Sequence, residues 1–457
     1  MPKTGPPTAA QPTSAPALLR DTAVLGWALA AGISQLGDVI FFVSLAYASA
    51  QLGSPALAGI VMACAATPRA ILMLVGGAVT DRFDARRLML ASDIACALVL
   101  VAALAAIGEW GLSAPILIAI GASFGTADAF YGPASATFPR QLVAAEDLPR
   151  LAGVRQLIGR FTTIGGGPLG LALVAFGGFR AALAADAASY IVIAVTLLAV
   201  RPRWPRARST GRSIISDIRA GLAYLGRTPR VRDLAIALSG LNVFGSPVLS
   251  IGIALRTTDE GWGANHLGIL TGCIGAGAVV GTLVSISRRP VKPVRFALQL
   301  MFVQAAAVAA VGLLTFPGEV AAMLVVGITA GLASPLLSGT VQAMVDEEFL
   351  GRTSSVLSIV DTGMMPLALA GFGALVGAVS LAGACLLFGA AFAALMLFAI
   401  TRPHISSLTP APKQAPPPKQ VHGRPSADPR PPAHRPPAHR PPVDHVVTCT
   451  FDGVSLP

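Results

Sequence analysis

Residues 55–108 read PALAGIVMACAATPRAILMLVGGAVTDRFDARRLMLASDIACALVLVAALAAIG. Two apolar runs, 55–79 and 88–108, flank a short turn that holds Arg82, Arg86 and Arg87. Each run is long enough for a helix to cross a ~30 Å hydrocarbon layer, which takes ~20 residues, and neither alternates as a membrane strand of ~9–11 residues would. The pair is a helical hairpin through a bilayer.

The pattern continues in both directions. Twelve spans are read at 22–50, 55–79, 88–108, 113–138, 151–176, 180–200, 232–256, 264–287, 295–316, 319–344, 353–376 and 379–401. Composition agrees: 54% of the 457 residues are hydrophobic and 12% charged, against roughly 25% charged in soluble domains, and mean hydropathy is +0.70. The expected fold is an all-α polytopic membrane protein of twelve transmembrane helices.

Lys and Arg resist translocation, so their placement orients the spans. One set of alternate loops holds nineteen of them: Arg82, Arg86 and Arg87; Arg140 and Arg150; nine arginines from Arg201 to Arg232; Arg288, Arg289, Lys292 and Arg295; and Arg352. The other set holds Arg180 and Arg256 alone. This asymmetry places both termini and the 201–231 loop in the cytoplasm of a cell whose inner, or plasma, membrane holds the chain. It also turns the net charge of +11 into a topology signal and removes nucleic acid as a partner.

The organisation expected is an N-terminus without folded structure (1–21), a six-helix half (22–200), a linker (201–231), a second half (232–402) and a Pro-rich tail (403–457). The start lacks the apolar core of a secretory signal. The tail holds 15 of the 36 prolines and five of the six histidines, a low-complexity composition that cannot bury a core. Four cysteines lie in apolar runs and Cys449 in the tail, without metal-ligand spacing, so no metal and no cofactor is expected. In the linker, Ile214, Ile218, Leu222 and Leu225 fall at helical spacing, which fits either an amphipathic helix on the inner surface or a plain connecting helix.

The two halves read as a duplication. LAGIVMAC (57–64) aligns with HLGILTGC (266–273), GASFGTA (121–127) with GITAGLA (327–333), and PLGLA (168–172) with PLALA (366–370). The matches pair helices of the same direction in the same order, which implies six plus six helices about a pseudo-two-fold axis.

Two segments carry mechanism. In GAVTDRFDARR (77–87), Gly77 allows close helix approach, Asp81 supplies a negative charge at the membrane edge, and Arg82, Arg86 and Arg87 hold the loop inside. In IGGGPLGL (164–171), Gly166, Gly167, Pro168 and Gly170 make a kinked helix with a small-residue face. The first resembles the loop 2–3 signature G-x-x-x-D-R-x-G-R-R of the major facilitator superfamily, with Asp84 and Ala85 as departures. The second is similar to its antiporter motif G-P-x-x-G-G, with the proline one place late and Leu171 for the final glycine. ISQLGD (33–38), FYGPA (130–134), DAASY (186–190) and GRTSSVL (351–357) extend the resemblance over about 23–401, toward the branch of the enterobactin exporter and macrolide efflux proteins. The resemblance implies that Asp81 meets the start of the eleventh helix near Ser354 and Ser355 and pairs with Arg140, locking the halves.

Charges inside spans are the most informative single residues, since a mid-bilayer carboxylate costs about 2.5 kcal/mol or more on insertion scales. Asp38 lies near the middle of the first span and Asp128 slightly inward of the middle of the fourth. Both are candidates for proton coupling or substrate binding, with Gln35, Tyr131, Asn242 and Gln342 as polar cavity candidates and Arg69, Arg155 and Arg160 as counter-ions. Asp93, Asp186 and Asp361 sit nearer span ends, where structural pairing is expected. The reading is a transporter and not an enzyme. It is expected to be a monomer, a proton-coupled exporter of an amphipathic drug or siderophore; the alternatives are an importer or uniporter on the same fold, and a membrane sensor or membrane-embedded enzyme. No Gly-x-x-x-x-Gly-Lys phosphate loop is present. Asp81→Asn is expected to reduce transport while leaving membrane insertion intact; unchanged transport in a cell-based flux assay would count against the lock.

Overall fold

A computed structural model describes residues 21–204, 214–287, 290, 292–345 and 347–402, apart from the side chains at 81, 145, 214–218, 221, 286, 341–343, 347–355 and 357. The readings made on the two ends, on Arg288 and Arg289, and on the side chains of Asp81, Gln342, Arg352, Ser354 and Ser355 therefore lie outside the described residues.

The spanning helices are α1 (Thr22–Ala50), α2 (Pro55–Arg82), α3 (Ala85–Trp110), α4 (Ala114–Thr137), α5 (148–177), α6 (179–199), α7 (Pro229–Asp259), α8 (Gly263–Ser287), α9 (Pro293–Ala310), α10 (Phe316–Met344), α11 (Glu347–Ala378) and α12 (Leu381–Thr401). Capping explains why the connections are short. Asp21 accepts from the N–H groups of Ala23 and Val24 at 3.1 and 3.4 Å, Asp84 from Arg87 N at 3.1 Å, and Ser380 from Gly383 N at 3.0 Å. Leu148–Ala199 is one continuous helical run that turns at Gly178, whose φ of +69° suits a residue without Cβ. Gly312, at φ +86°, stops α9 at Ala310, six residues before the end expected from hydropathy. In α7, a π turn over Val248–Gly252 follows Pro247, which cannot donate to the helical ladder.

Packing follows the duplication. A Cβ on Gly59 of α2 would sit 2.9 Å from Leu369 O and from Gly373 Cα of α11, and one on Gly268 of α8 would meet Leu171 of α5. Gly59 and Gly268 are repeat equivalents, as are Leu171 and Leu369, so each half presents the same residues to the other. Within the halves, Gly121 of α4 lies on Ala65 of α2, and its equivalent Gly327 of α10 on Ile274 of α8. These cross-half contacts belong to the half of the bundle away from the chain ends. Toward the ends, a Cβ on Gly132, Gly153 or Gly339 would meet nothing within 4 Å.

Around it, large apolar side chains face outward: Leu98, Val101, Phe176, Leu198 and Leu283 are all more than half exposed. That surface suits lipid, while Trp27, Phe41, Phe138, Phe372 and Phe392 fill the interior. Arg256, one of the two basic residues on the arginine-poor side, is neutralised in place: it donates to Glu319 at 3.1 Å, to Glu260 at 2.5 Å and to Leu314 O at 3.1 Å, with Trp262 beneath it.

Several contacts tie the linker region to the bundle, among them the bonds of Arg203 N and Trp204 N to Gln141 O at 2.9 and 3.1 Å. Leu225 of the helix Ile214–Arg227 is buried against the second half's core, whereas Leu222 is exposed. Arg203 forks onto Asp21, with its Nη2 3.0 Å from Oδ1, and holds that carboxyl below its usual range. A lowered carboxyl stabilises the fold above the ordinary Asp range and ceases to do so as pH falls through the lowered value; for so exposed a pair the amount is at most about 1 kcal/mol.

The two equivalent glycines differ in room. Gly59→Ala is expected to lower stability by about 1–3 kcal/mol, since backbone atoms block the added methyl. Gly268→Ala, whose methyl reaches ordinary contact distance, is expected to leave thermal unfolding in detergent near that of the parent. Equal melting temperatures for the two variants would contradict the packing.

Candidate functional site

Two cavities meet near mid-bundle. The first, about 390 Å³, lies within the first half and is lined from α1 by Gln35, Asp38 and Phe42, from α2 by Arg69, from α3 by Asp93 and Cys96, from α4 by Phe124, Asp128 and Tyr131, and from α6 by Tyr190. Helical spacing explains the convergence: Gln35 and Asp38, and likewise Asp128 and Tyr131, are three residues apart and share a face. Tyr190 donates its hydroxyl to Asp38 Oδ1 at 2.5 Å. Arg69 pairs with Asp128 at 2.6 Å. Phe41 stacks on Phe124 at 4.0 Å between centroids, and Phe124 meets Tyr190 edge-on at 5.7 Å, a rigid apolar wall that fixes the tyrosine.

Behind this wall Gly37 leaves room for Asp186 and Ser189, whose side-chain oxygens a Cβ there would overlap. Asp186 is fully buried and accepts from Ser189 Oγ at 3.1 Å.

The second cavity, about 440 Å³, lies between the halves. Phe42, Met62, Arg69 and Asp128 line it from the first half, and Asn242, Ser246, Asp361, Met365 and Leu369 from the second. Asn242 Nδ2 donates to Asp361 Oδ2 at 3.3 Å. Phe42, Arg69 and Asp128 line both cavities, so the Arg69–Asp128 pair forms part of the wall that they share. A smaller cavity, bounded by Gln35, Asp38, Tyr131 and Arg155, continues the first toward the chain ends. There Arg155 lies over Trp27, 5.1 Å from the ring centroid, and donates to Ser135 O at 3.4 Å.

The structure thus gathers Asp38, Asp128, Gln35 and Tyr131 in one cavity and sets Asn242 across the gap in the second. Of the loop 2–3 residues, Arg86 makes contacts within the first half. Arg86 donates to Leu197 O at 2.5 Å and Leu198 O at 2.8 Å, tying the start of α3 to the end of α6, while Arg82, Arg87 and Arg140 are exposed. Close approach of α2 to α4 is made at Gly76, beside Gly77, against the Ala129 carbonyl. In the α5 motif, Gly166 and Gly170 pack on Val39 and Ile40 of α1, Gly167 faces Thr271 of α8, and Pro168 faces Gly272. Its two faces serve the fold and the interface between halves respectively.

Two acids expected to pair structurally also line the cavities. Asp93 is 1% exposed, lines the first cavity, and has no hydrogen-bond partner on either carboxylate oxygen among the described residues. Asp361 lies near the start of the apolar stretch Ser358–Ala378 of α11, pairs with Asn242 and lines the second cavity. The signal for both was a charge inside an apolar run.

Two pseudo-symmetric six-helix halves around a polar, ionisable cavity define a membrane transporter. The chain belongs to the major facilitator superfamily: its sequence matches the Major Facilitator Superfamily family description over residues 27–369. The fold is similar to that of the nucleoside transporter NupG (TM-score 0.64, 14% identity, 82% of this chain and 98% of that one). It is also similar to a D-xylose–proton symporter (0.62, 13%, 81% and 96%) and to a bacterial homologue of the iron transporter ferroportin in an inward-facing state (0.60, 16%, 82% and 98%). No curated protein sequence matches the chain.

Tyr190→Phe keeps the ring and removes the donor to Asp38. Transport is expected to fall about tenfold, the worth of one charge-assisted hydrogen bond, with thermal stability nearly unchanged. Wild-type flux in this variant, measured in proteoliposomes, would remove Tyr190 from the site.

Proposed function

We propose that the chain is a proton-driven secondary exporter of amphipathic small molecules, a drug or siderophore, working by alternating access in the cell's inner membrane. Both termini and the 201–231 linker face the cytoplasm, and the functional unit is a monomer. One observation carries the reading: the Arg69–Asp128 pair stands in the wall common to an acid-lined cavity inside one half and an apolar-walled cavity between the halves. Protonation of Asp38 changes the charge balance on one side of that wall, and substrate contacts Phe42 and Arg69 on the other. Either event shifts the pair, so proton and substrate bias the same equilibrium between conformations.

Phe42, Met62, Met365 and Leu369 supply the apolar surface for an amphipathic substrate, and Asn242 and Asp361 a polar end. Asp81, at the membrane edge of α2, serves the lock between the halves together with Arg140. The packing of Gly167 and Pro168 on α8 supports export, as this is the place of the antiporter-like motif. Import by symport is the second reading, favoured by Leu171 at the motif's final glycine position.

In inside-out vesicles with an acidic interior, an amphipathic fluorescent dye is expected to accumulate, and a protonophore or Asp38→Asn to abolish the accumulation. Accumulation in right-side-out vesicles instead, driven by an inward proton gradient, would replace export with import.

A further inference from the structure

Asp93 is the one carboxylate lining the first cavity that has neither a cation nor a hydrogen-bond donor on either oxygen among the described residues. Its neighbours there are otherwise engaged. On α1, Asp38 takes the Tyr190 hydroxyl of α6; on α2, Arg69 is held by Asp128 of α4. Tyr131 of α4 and Cys96, one turn along on α3, complete the titratable set that faces it, and Asp186 of α6 lies behind Gly37 with its own donor, Ser189. No lysine or histidine lines the cavity, and its one arginine is already paired.

An ionised carboxylate so enclosed, 1% exposed, would lack both counter-ion and donors, which a protein interior does not tolerate. In the state seen here the side chain is therefore a neutral acid. Its two oxygens are covered in this state, but the residue lines a cavity large enough for water, which continues past Asp38 and Gln35 toward the chain ends. A neutral acid beside such a cavity carries a proton once a side-chain rotation turns its oxygens into the water. Because Asp38 and Asp93 border the same space, charge on one raises the cost of charge on the other, and the two protonation states are linked.

We propose that Asp93 is a second proton-carrying residue of the transport cycle, so that two protons, one on Asp38 and one on Asp93, cross for each substrate. This deepens the proton-coupled reading and rests on it. In each cycle the Asp93 carboxyl gives its proton to cavity water on one side of the membrane and takes one from water on the other, with no net change in the protein.

Two measurements on the full chain test this. Infrared difference spectra in proteoliposomes, between high and low pH, are expected to show carboxylic-acid carbonyl bands, one of which disappears in Asp93→Asn and moves in frequency in Asp93→Glu. The proton-to-substrate ratio for the same amphipathic dye, obtained from the gradient at which net flux stops, is expected to fall from two to one in Asp93→Asn. A band pattern and ratio unchanged by both substitutions would overturn the assignment and leave Asp93 structural. If Asp93→Asn does not fold, the band shift in Asp93→Glu and the wild-type ratio decide; a wild-type ratio of one overturns the proposal. Flux indifferent to any proton gradient would sink the coupled reading itself, and the two-proton cycle with it, which the unchanged presence of the Asp93 band would distinguish from a misassigned residue.

Discussion

Helices in a bilayer gain nothing by hiding apolar surface from one another, because lipid tails are as apolar as leucine. What joins them is close contact, and close contact needs side chains that are small or absent. In this chain close approaches to neighbouring backbone fall on Gly76 against Ala129, Gly125 against Ala65, Gly327 against Ile274, Gly331 against Ala278 and Gly59 against Gly373. The last of these joins the two halves and the others build each half. Gly125 and Gly331 are repeat equivalents, so the duplication that gives the pseudo-symmetry also supplies part of the cohesion.

The second constraint is charge. With 12% charged residues, the chain uses most of them in loops and few in the membrane. Those few are arranged with economy: Arg69 with Asp128, Arg256 with Glu319 and Glu260, and Tyr190 as donor to Asp38. Asp93 keeps both carboxylate oxygens without a partner among the described residues, and both it and Asp361 line a cavity. Asp361 and Asp186 each have one oxygen with a donor, Asn242 and Ser189 respectively, and one without.

Much of the site was legible in residue order. A charge in an apolar run is conspicuous, and Asp38, Asp128, Gln35 and Tyr131 stood out by type and helical spacing; their convergence on one cavity also required α1 and α4 to face each other, which spacing within a helix does not reveal. Asp93 and Asp361 were placed near the ends of their apolar runs; hydrogen bonding carries both helices past those runs, α3 from Ala85 after the Asp84 cap and α11 from Glu347, and only the fold shows both acids lining a cavity. Arg86 was read as a topology residue, and only the fold shows it gripping the last carbonyls of α6. The loop signature's departure at Asp84 has a local cause, since a side-chain acceptor there caps α3.

Residue order alone determined the class, through span lengths dictated by bilayer thickness and a duplication visible as aligned Gly and Pro residues, and arginine placement supplied the expected orientation. These depend on local composition and on the solvent, so they need no tertiary contact to be read. Which helices join the two halves, and that one arginine stands between two cavities, were decided by the tertiary structure. Those outcomes depend on the rotation of each helix about its axis, which is set by packing against several neighbours at once. A glycine-rich helix offers more than one face small enough to pack, and only the assembled bundle selects between them.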